Sequence, residues 1–252
     1  MITIDRSSWG RLRVTGGDRV RFLQGLTTVN VEALAVAGHA WGAILNPKGR
    51  VLSVIDIAHA GDGFVIACEP ALAEPTRALL ERYAVMDDVA FEPLDGPAHQ
   101  VWSDPASVWT APIATGSGHE ARPDSDPVVE QLRIRGGFLR YGVDVDVDHF
   151  PFETPLAGFL DYGKGCYVGQ EPVFRVHAQG NAARTLRGLM IEGSAPIAPG
   201  TALTAPAKGN VTSSISDGDA TRALGFLHRT CWEPGTTVQV DGRSATVFEL
   251  PW

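Results

Sequence analysis

Apolar and polar residues alternate from 10 toward 17 and the run stops at Gly16-Gly17, which reads as a strand and its turn. Asp18 follows as an N-cap, and Val20, Phe22, Leu23 and Leu26 then recur at roughly helical spacing. Residues 40–68 read as strands broken by turns, with Asn46-Pro47-Lys48-Gly49 and Gly61-Asp62-Gly63 as the punctuation. Residues 73–85 predict one amphipathic helix with Pro75 in its first turn, where a missing N–H is harmless. Residues 93–127 are rich in Pro, Ser, Asp and Gly and predict a long loop or strand returns. Alternation resumes over 128–147, in Val128 to Arg135 and again past Gly142, the pattern of strand. From 184 onward, short β-rich runs near 185–192, 201–204, 210–216, 222–228, 236–241 and 244–250 are separated by Gly, Pro or Asp turns. That spacing predicts a small barrel or sandwich beyond a boundary at 180–185.

Composition narrows the class. The chain has 252 residues, 44% hydrophobic and 20% charged, which is a globular balance with room for one large domain or two to three small ones. Its 28 Gly and 17 Pro fit short elements and many turns rather than long helices. A net charge of −8 argues against a general nucleic-acid partner, yet leaves room for a small anion held by local Arg and Lys. No run approaches about 18 consecutive apolar residues, and the first residues lack a secretory pattern, so a cytoplasmic protein without a membrane span is expected. Cys68, Cys166 and Cys231 are odd in number and widely spaced, which fits neither a disulfide framework nor a cysteine zinc site, and no metal is expected.

The chemistry concentrates in 161–184. Gly163, Gly165 and Gly169 surround Lys164 and Cys166, and Gln170 and Glu171 add an amide and a carboxylate. Two readings stand side by side: a Gly-rich turn with a half-buried structural cysteine, or a thiolate favoured by the lysine and a helix N-terminus. Gln170 and Glu171 together can recognise a heterocycle that both donates and accepts. Asp144, Asp146 and Asp148 would share one strand face beside His149; a solvated strand edge is the expectation, with a divalent cation as the alternative. Trp9 is expected in core or at its rim. Gly16-Gly17-Asp18 and Gly180-Asn181 lack a P-loop ending and are read as turns.

The string Lys164-Gly165-Cys166-Tyr167-Val168-Gly169-Gln170-Glu171 resembles the signature of the YgfZ family of folate-binding proteins, relatives of the glycine-cleavage T-protein, an aminomethyltransferase. The segments Gly17–Thr28, Asn46–Val51, Arg175, Gly180–Arg184 and Ala245–Pro251 resemble other parts of that family, so the likeness spans nearly the whole chain and is weakest over 95–127. It implies an α+β fold, a T-protein-like cloverleaf of two α+β units, one of them ferredoxin-like, plus a C-terminal β-barrel. The implied division is a folate-binding region over 1–182, in which about 1–50 and 128–182 form one unit and about 51–127 an inserted ferredoxin-like unit, followed by a barrel over 183–252.

The same resemblance implies tetrahydrofolate or a one-carbon derivative as cofactor and a role in the assembly or repair of iron–sulfur proteins. Those proteins or their assembly factors would be the partners, with no direct nucleic-acid contact. Cys166 and Lys164 would carry the chemistry. Trp9, Tyr167, Gln170, Glu171 and Arg175 would hold folate; by their charge alone, Lys48, Arg50, Arg175 and Arg184 are candidates to meet its glutamate tail. Of two departures, the first bears on the alternative, a folate-dependent one-carbon transferase with an unknown acceptor, and the second on pterin-edge recognition by a carboxylate. Ser53 and Val54 stand where T-proteins carry an aspartate pair, and Arg135-Gly136-Gly137 stands where the family often has Glu-Ala-Gly. A further possibility is a binding module without catalysis.

Overall fold

A computed structural model describes residues 1–34, 38–180 and 182–252. Asn181, half of the expected Gly180-Asn181 turn, lies outside the described residues. The chain starts with β1 (Ile2–Asp5) and β2 (Gly10–Thr15), then α1 (Arg19–Leu26) and the single turn α2 (Val31–Leu34). Phe22, Leu23 and Leu26 bury one face of α1, as their spacing predicts. Asp18 is the N-cap, but its carboxylate does not cap the helix. It accepts from the Asp88 N–H at 2.8 Å and meets Arg21 at 3.1 Å, so a distant loop fixes this end.

The next strands, β3 (His39–Leu45), β4 (Val51–Ala60) and β5 (Gly63–Cys68), run antiparallel through the expected turns. Asn46 shapes the first turn by accepting from the N–H groups of Lys48 (2.9 Å) and Arg50 (3.1 Å). Helix α3 (Ala73–Tyr83) and strand β6 (Ala90–Pro93) complete a five-stranded sheet in the order β3-β4-β5-β2-β6. This sheet therefore gathers residues 10–93. The boundary expected at 50/51 falls in the turn of the β3–β4 hairpin, whose strands pair from His39↔Ala58 to Leu45↔Val51. Leu12, Val14, Ile55, Ile57, Phe64 and Ile66 form one face of the sheet and pack with residues of α1 and α3.

The stretch expected to be loop holds β7 (Ala98–Trp102), which pairs with β1, and β8 (Ala114–Thr115), which pairs with β7, in a small sheet β1-β7-β8. After it, the alternation of Val128–Arg135 is misleading, because the segment is helix α4 (Pro127–Gly136). Asp126 caps it by accepting from Val128 N at 2.8 Å, Pro127 occupies its first turn, and Gly137 ends it at φ +68°. Burial of Val129, Arg133 and Ile134 against the rest of the molecule outweighs the β-preference of its Val and Ile.

Asp144, Asp146 and Asp148 do not share a strand face either. They lie in a tight turn segment, and Asp144 is wholly buried. Its carboxylate accepts from Arg133 Nη1 (2.6 Å), Arg140 N (3.1 Å), Thr212 Oγ1 (2.6 Å) and Ser213 Oγ (2.7 Å), so cation binding there is replaced by an internal ion pair. Asp146 meets His149 at 2.7 Å, and the His149 ring stacks on Phe226 at 4.5 Å.

Helix α5 (Gln170–Gln179) leads to the C-terminal strands β9 (Arg184–Glu192), β10 (Gly209–Asp217), β11 (Ala220–His228), β12 (Thr237–Val240) and β13 (Arg243–Phe248). They form a sheet in the order β10-β11-β9-β13-β12. Ala202 bridges to Asn210 on one edge and Leu203 to Val240 on the other, which closes the sheet into a barrel. Leu189, Ile191, Val211, Ala223, Leu227, Val240 and Val247 fill its interior. The α+β architecture with a terminal barrel is the expected fold class. Where the first two sheets meet α4 and the barrel, the centre is packed with aromatics. Trp41 and Trp109 stand edge-on at 5.6 Å, and Phe138 lies within 5.3 Å of Trp41, Trp102 and Trp109.

Candidate functional site

The segment 161–169 is an irregular loop tied down at both ends, with its thiol at the surface. Asp161 accepts from Asn30 Nδ2 and from Gly163 N, each at 2.7 Å. These bonds hold the Asp161 carboxyl below its ordinary range, Asn30 contributing most. Gln24 on α1 donates to the Lys164 carbonyl at 2.7 Å, and the Lys164 ammonium returns to the carbonyls of Gln24 (2.8 Å) and Thr27. The lysine thus caps the C-terminal end of α1, where the helix dipole favours a cation. Burial pushes the Lys164 ammonium down to about 8. Val168 N donates to the Gly25 carbonyl at 3.0 Å, and Gly169 rests on the β3–β4 turn.

Cys166 is exposed, whereas Cys68 and Cys231 are buried. Burial pushes the Cys68 thiol up to about 11, and Cys231 spends its proton on the carbonyls of Lys208 and His228. One thiol of three is therefore open to solvent, and it is the one between Gly165 and Tyr167. The hydrogen bonds of Lys164 go to helix carbonyls rather than to sulfur, so its place here is that of an anchor.

The other expected residues are dispersed. Tyr167 is buried, with the Lys164 ammonium 4.9 Å from its ring centre. Gln170 turns back to accept from Tyr167 N at 3.1 Å. Glu171 and Arg175 pair with each other at 2.6 Å on the exposed face of α5. Pro172, in the first turn of α5, withholds an N–H that the helix would leave free anyway. Arg50 lies 3.7 Å over the Phe150 ring, Arg184 pairs with Glu153, and Lys48 is exposed in its turn. Trp9 is 6% exposed and meets Trp41 edge-on at 6.1 Å.

Beside the fully buried Trp41 lies a groove of about 430 Å³ lined by Asn30, Ala40, Phe159, Leu160, Asp161 and Tyr162. Phe159 and Gly158 also line a neighbouring cavity of about 430 Å³ that contains Trp109, Phe152 and Arg187. The two spaces thus share a wall and run from the thiol loop toward the barrel. The indole N–H of Trp41 is buried with no acceptor among the described residues. Aromatic walls, an ionised carboxylate and an amide suit a flat heterocycle with mixed donors and acceptors. Asn30, Trp41, Phe159 and Asp161 escaped the sequence reading because their convergence is tertiary; only the nearness of Asp161 to the glycine loop could have pointed to it.

Beneath Trp9 lies a charged cluster. Arg6 is 1% exposed and sits 4.6 Å from the Trp9 ring centre and 5.3 Å from that of Trp102, bonded to Gln100 and Asp124. With Glu69, Asp124, Arg133 and Arg140 it surrounds a space of about 50 Å³. Burial holds the Glu69 carboxyl up at about 7, against the opposing pull of Tyr141 N–H at 2.8 Å and the nearby Arg140 and Arg6. A carboxyl raised on folding binds a proton in the native chain before it does so in the unfolded one. Its contribution is then complete below about 4.5 and is lost as pH climbs through about 7. Glu69→Gln keeps the acceptor for Tyr141 N and cannot ionise. Its urea midpoint is expected to rise relative to the parent between pH 5 and pH 8; a constant difference across that window would refute this.

No protein-family model matches the chain. It is 30% identical over 203 residues to the iron–sulfur cluster assembly factor IBA57 homolog, mitochondrial, of Pyricularia oryzae, a match covering 67% of this chain and about half, 52%, of that protein. It is 26% identical over 240 residues to the tRNA-modifying protein YgfZ of Serratia proteamaculans, covering 78% of this chain and 72% of the relative. In structure it is similar to the glycine cleavage system aminomethyltransferase T from Bartonella henselae. The TM-score is 0.80 at 17% identity, over 99% of this chain and 85% of the other. The glycine-cysteine loop and these likenesses agree: the chain is similar in sequence to proteins named YgfZ and IBA57, and its three-sheet architecture is the fold of the aminomethyltransferase T-protein.

Proposed function

We propose that this chain binds a reduced folate and serves the assembly or repair of iron–sulfur proteins, with Cys166 as its reactive group. The observation that carries the reading is the exposure of Cys166 on an anchored loop while the other two thiols are buried. The names of the relatives, an iron–sulfur cluster assembly factor and a tRNA-modifying protein, support a role beside cluster-bearing enzymes. A net charge of −8 favours a protein partner over direct contact with RNA. The three unpaired cysteines fit a reducing compartment such as the cytoplasm.

The groove beside Trp41 fits a pterin. Asn30 and Asp161 would meet its amino-oxo edge, Phe159 and Tyr162 would face its ring, and Arg187 in the adjoining cavity would meet the glutamate tail in place of the four cations expected from sequence. Tetrahydrofolate supplies a one-carbon carrier when bound. The chain's own residues orient it, exclude water from one face and present a thiol on the neighbouring loop.

The transferase alternative receives less support. Ser53 Oγ accepts from Thr76 at 3.0 Å, Val54 is buried and apolar, and Asp56 is held by His39 (2.8 Å) and Ile113 N (3.1 Å). None of these presents a free carboxylate.

In the native protein, a thiol reagent such as 5,5′-dithiobis(2-nitrobenzoate) is expected to titrate Cys166 alone, with Cys68 and Cys231 reacting only after unfolding. Cys166→Ala should abolish rescue of iron–sulfur enzyme activity in cells lacking the protein. Intact rescue by that variant would leave a binding module without thiol chemistry. By calorimetry, 5-formyltetrahydrofolate should bind the parent, and at least tenfold more weakly when Phe159 is changed to Ala; no binding to the parent would remove folate from the reading.

A further inference from the structure

The chain that follows the single turn Pro105–Trp109 is strapped down by side chains. Asp56 Oδ2 accepts from Ile113 N at 3.1 Å, and Gln100 Nε2 donates to the Ala111 carbonyl at 2.9 Å. His39 ties the same strap to the sheet, with Nδ1 2.8 Å from Asp56 Oδ1 and Nε2 2.9 Å from the Thr110 carbonyl oxygen. His39, Trp41 and Asp56 share one face of the sheet, since His39 and Trp41 are two apart on β3 and Asp56 stands opposite Trp41. Trp41 meets Trp109 edge-on at 5.6 Å. Trp109 and Thr110 line the cavity of about 430 Å³ that shares Gly158 and Phe159 with the groove by the thiol loop. The strap is therefore part of that cavity's wall.

Both nitrogens of the His39 ring face oxygens that only accept, a carboxylate and a peptide carbonyl. A neutral imidazole has one N–H, so it would satisfy one of them and turn a lone pair on the other. The arrangement is complete only in the imidazolium. From β4 the ring faces Asp56. Residues 105–113, and the turn Pro155–Phe159 that packs on β3, carry no titratable side chain. Glu32 on α2 is exposed, and His59 turns to Phe64 on the other face of the sheet. Burial presses the imidazolium down, but the hydrogen bond and charge of Asp56, with the Thr110 carbonyl, hold it above its ordinary value of 6.5. Its contribution to stability is thus whole below 6.5 and is lost as pH climbs through the ring's own, higher midpoint. When one proton leaves, the remaining N–H stays with the carboxylate, the stronger acceptor. The Thr110 bond is then the one that breaks, while Asp56 keeps Ile113 N. We propose that His39 is a proton-operated latch and the positioning residue for the Thr110 edge of the cavity, closed by the imidazolium and released at that one point by the neutral ring. It would regulate a ligand in that cavity, a consequence that rests on the folate reading.

In nitrogen-resolved NMR of the full chain, titrated between about pH 5 and pH 9, the His39 ring should still be mostly imidazolium at 6.5 and lose one proton above it. The Ala111 amide, whose peptide bond carries the Thr110 carbonyl, should shift with the same midpoint. Its protection from exchange, corrected for base catalysis, should fall at least fivefold across that midpoint, and that of Ile113 should not change. His39→Gln keeps a donor that does not titrate, so its Ala111 signal should be flat; the parent titration decides the matter should that variant fail to fold. A His39 ring more than half neutral at 6.5, an Ala111 signal that ignores the ring's midpoint, equal losses of protection at Ala111 and Ile113, or the same titration in His39→Gln would overturn the latch. The parent should bind 5-formyltetrahydrofolate at least threefold more weakly above the His39 midpoint than below it. Binding that ignores the midpoint would overturn the regulatory consequence. No binding at any pH would overturn the folate reading alone, and the latch would stand or fall by the NMR titration.

Discussion

Asp144→Ala is expected to cost about 3–5 kcal/mol, the penalty for breaking a buried ion pair from one side. The carboxylate is wholly buried and is shared among Arg133 and Arg140 N on one side and two barrel hydroxyls, Thr212 and Ser213, on the other. Its loss removes one of the two carboxylates that pair with the buried Arg133 guanidinium, leaving Glu130 at 2.8 Å, and leaves both hydroxyls without this acceptor. Domains of this size are stable by roughly 5–15 kcal/mol, so the change consumes a large part of the total. It should appear as a lower urea midpoint at an unchanged slope. Asp144→Asn keeps an acceptor for the hydroxyls and should cost less. A cost below about 1 kcal/mol for Asp144→Ala would show that the existing Arg133–Glu130 pair compensates the guanidinium by itself.

The same aspartate shows where sequence reading ends. The β2 strand, α1, the Asn46-Pro47-Lys48-Gly49 hairpin, α3 and the closely spaced barrel strands were legible, because each is written in local periodicity and turn residues. Helix α4 was not, since its valines and isoleucine alternate and its caps, Asp126-Pro127 and Gly137, outweigh that pattern only once Val129 and Ile134 are buried. Asp144 lies 68 residues from Thr212, and Lys164 lies 140 from Gln24, so neither pairing leaves a local trace. For the site, the loop carrying Cys166 was legible from its glycines. The groove was not, because Trp41 and Asn30 reach it from β3 and from the turn before α2.

Gly169 and Gly165 form a matched pair for testing what holds that loop in place. Both have positive φ, +82° and +92°, so alanine at either meets the left-handed penalty of about 1–2 kcal/mol. Their surroundings differ. A Cβ on Gly165 has no atom within 4 Å, whereas one on Gly169 would stand 2.4 Å from the Asn46 carbonyl oxygen, 2.9 Å from Leu45 Cβ and 3.2 Å from Gly49 Cα. Those atoms belong to the hairpin turn and its strand and cannot rotate aside, which adds an overpacking cost of about 1–3 kcal/mol. Gly169→Ala should therefore lower stability clearly more than Gly165→Ala, by urea unfolding at neutral pH. It should also free the Val168 amide, now bonded to the Gly25 carbonyl at 3.0 Å, to exchange faster with solvent. With that bond loosened, the segment bearing Cys166 loses its fixed height over α1, and thiol accessibility should become heterogeneous without any change in the sulfur itself. Equal stability losses at the two glycines would mean that the turn yields, and that the loop is held chiefly by Lys164 and Asp161.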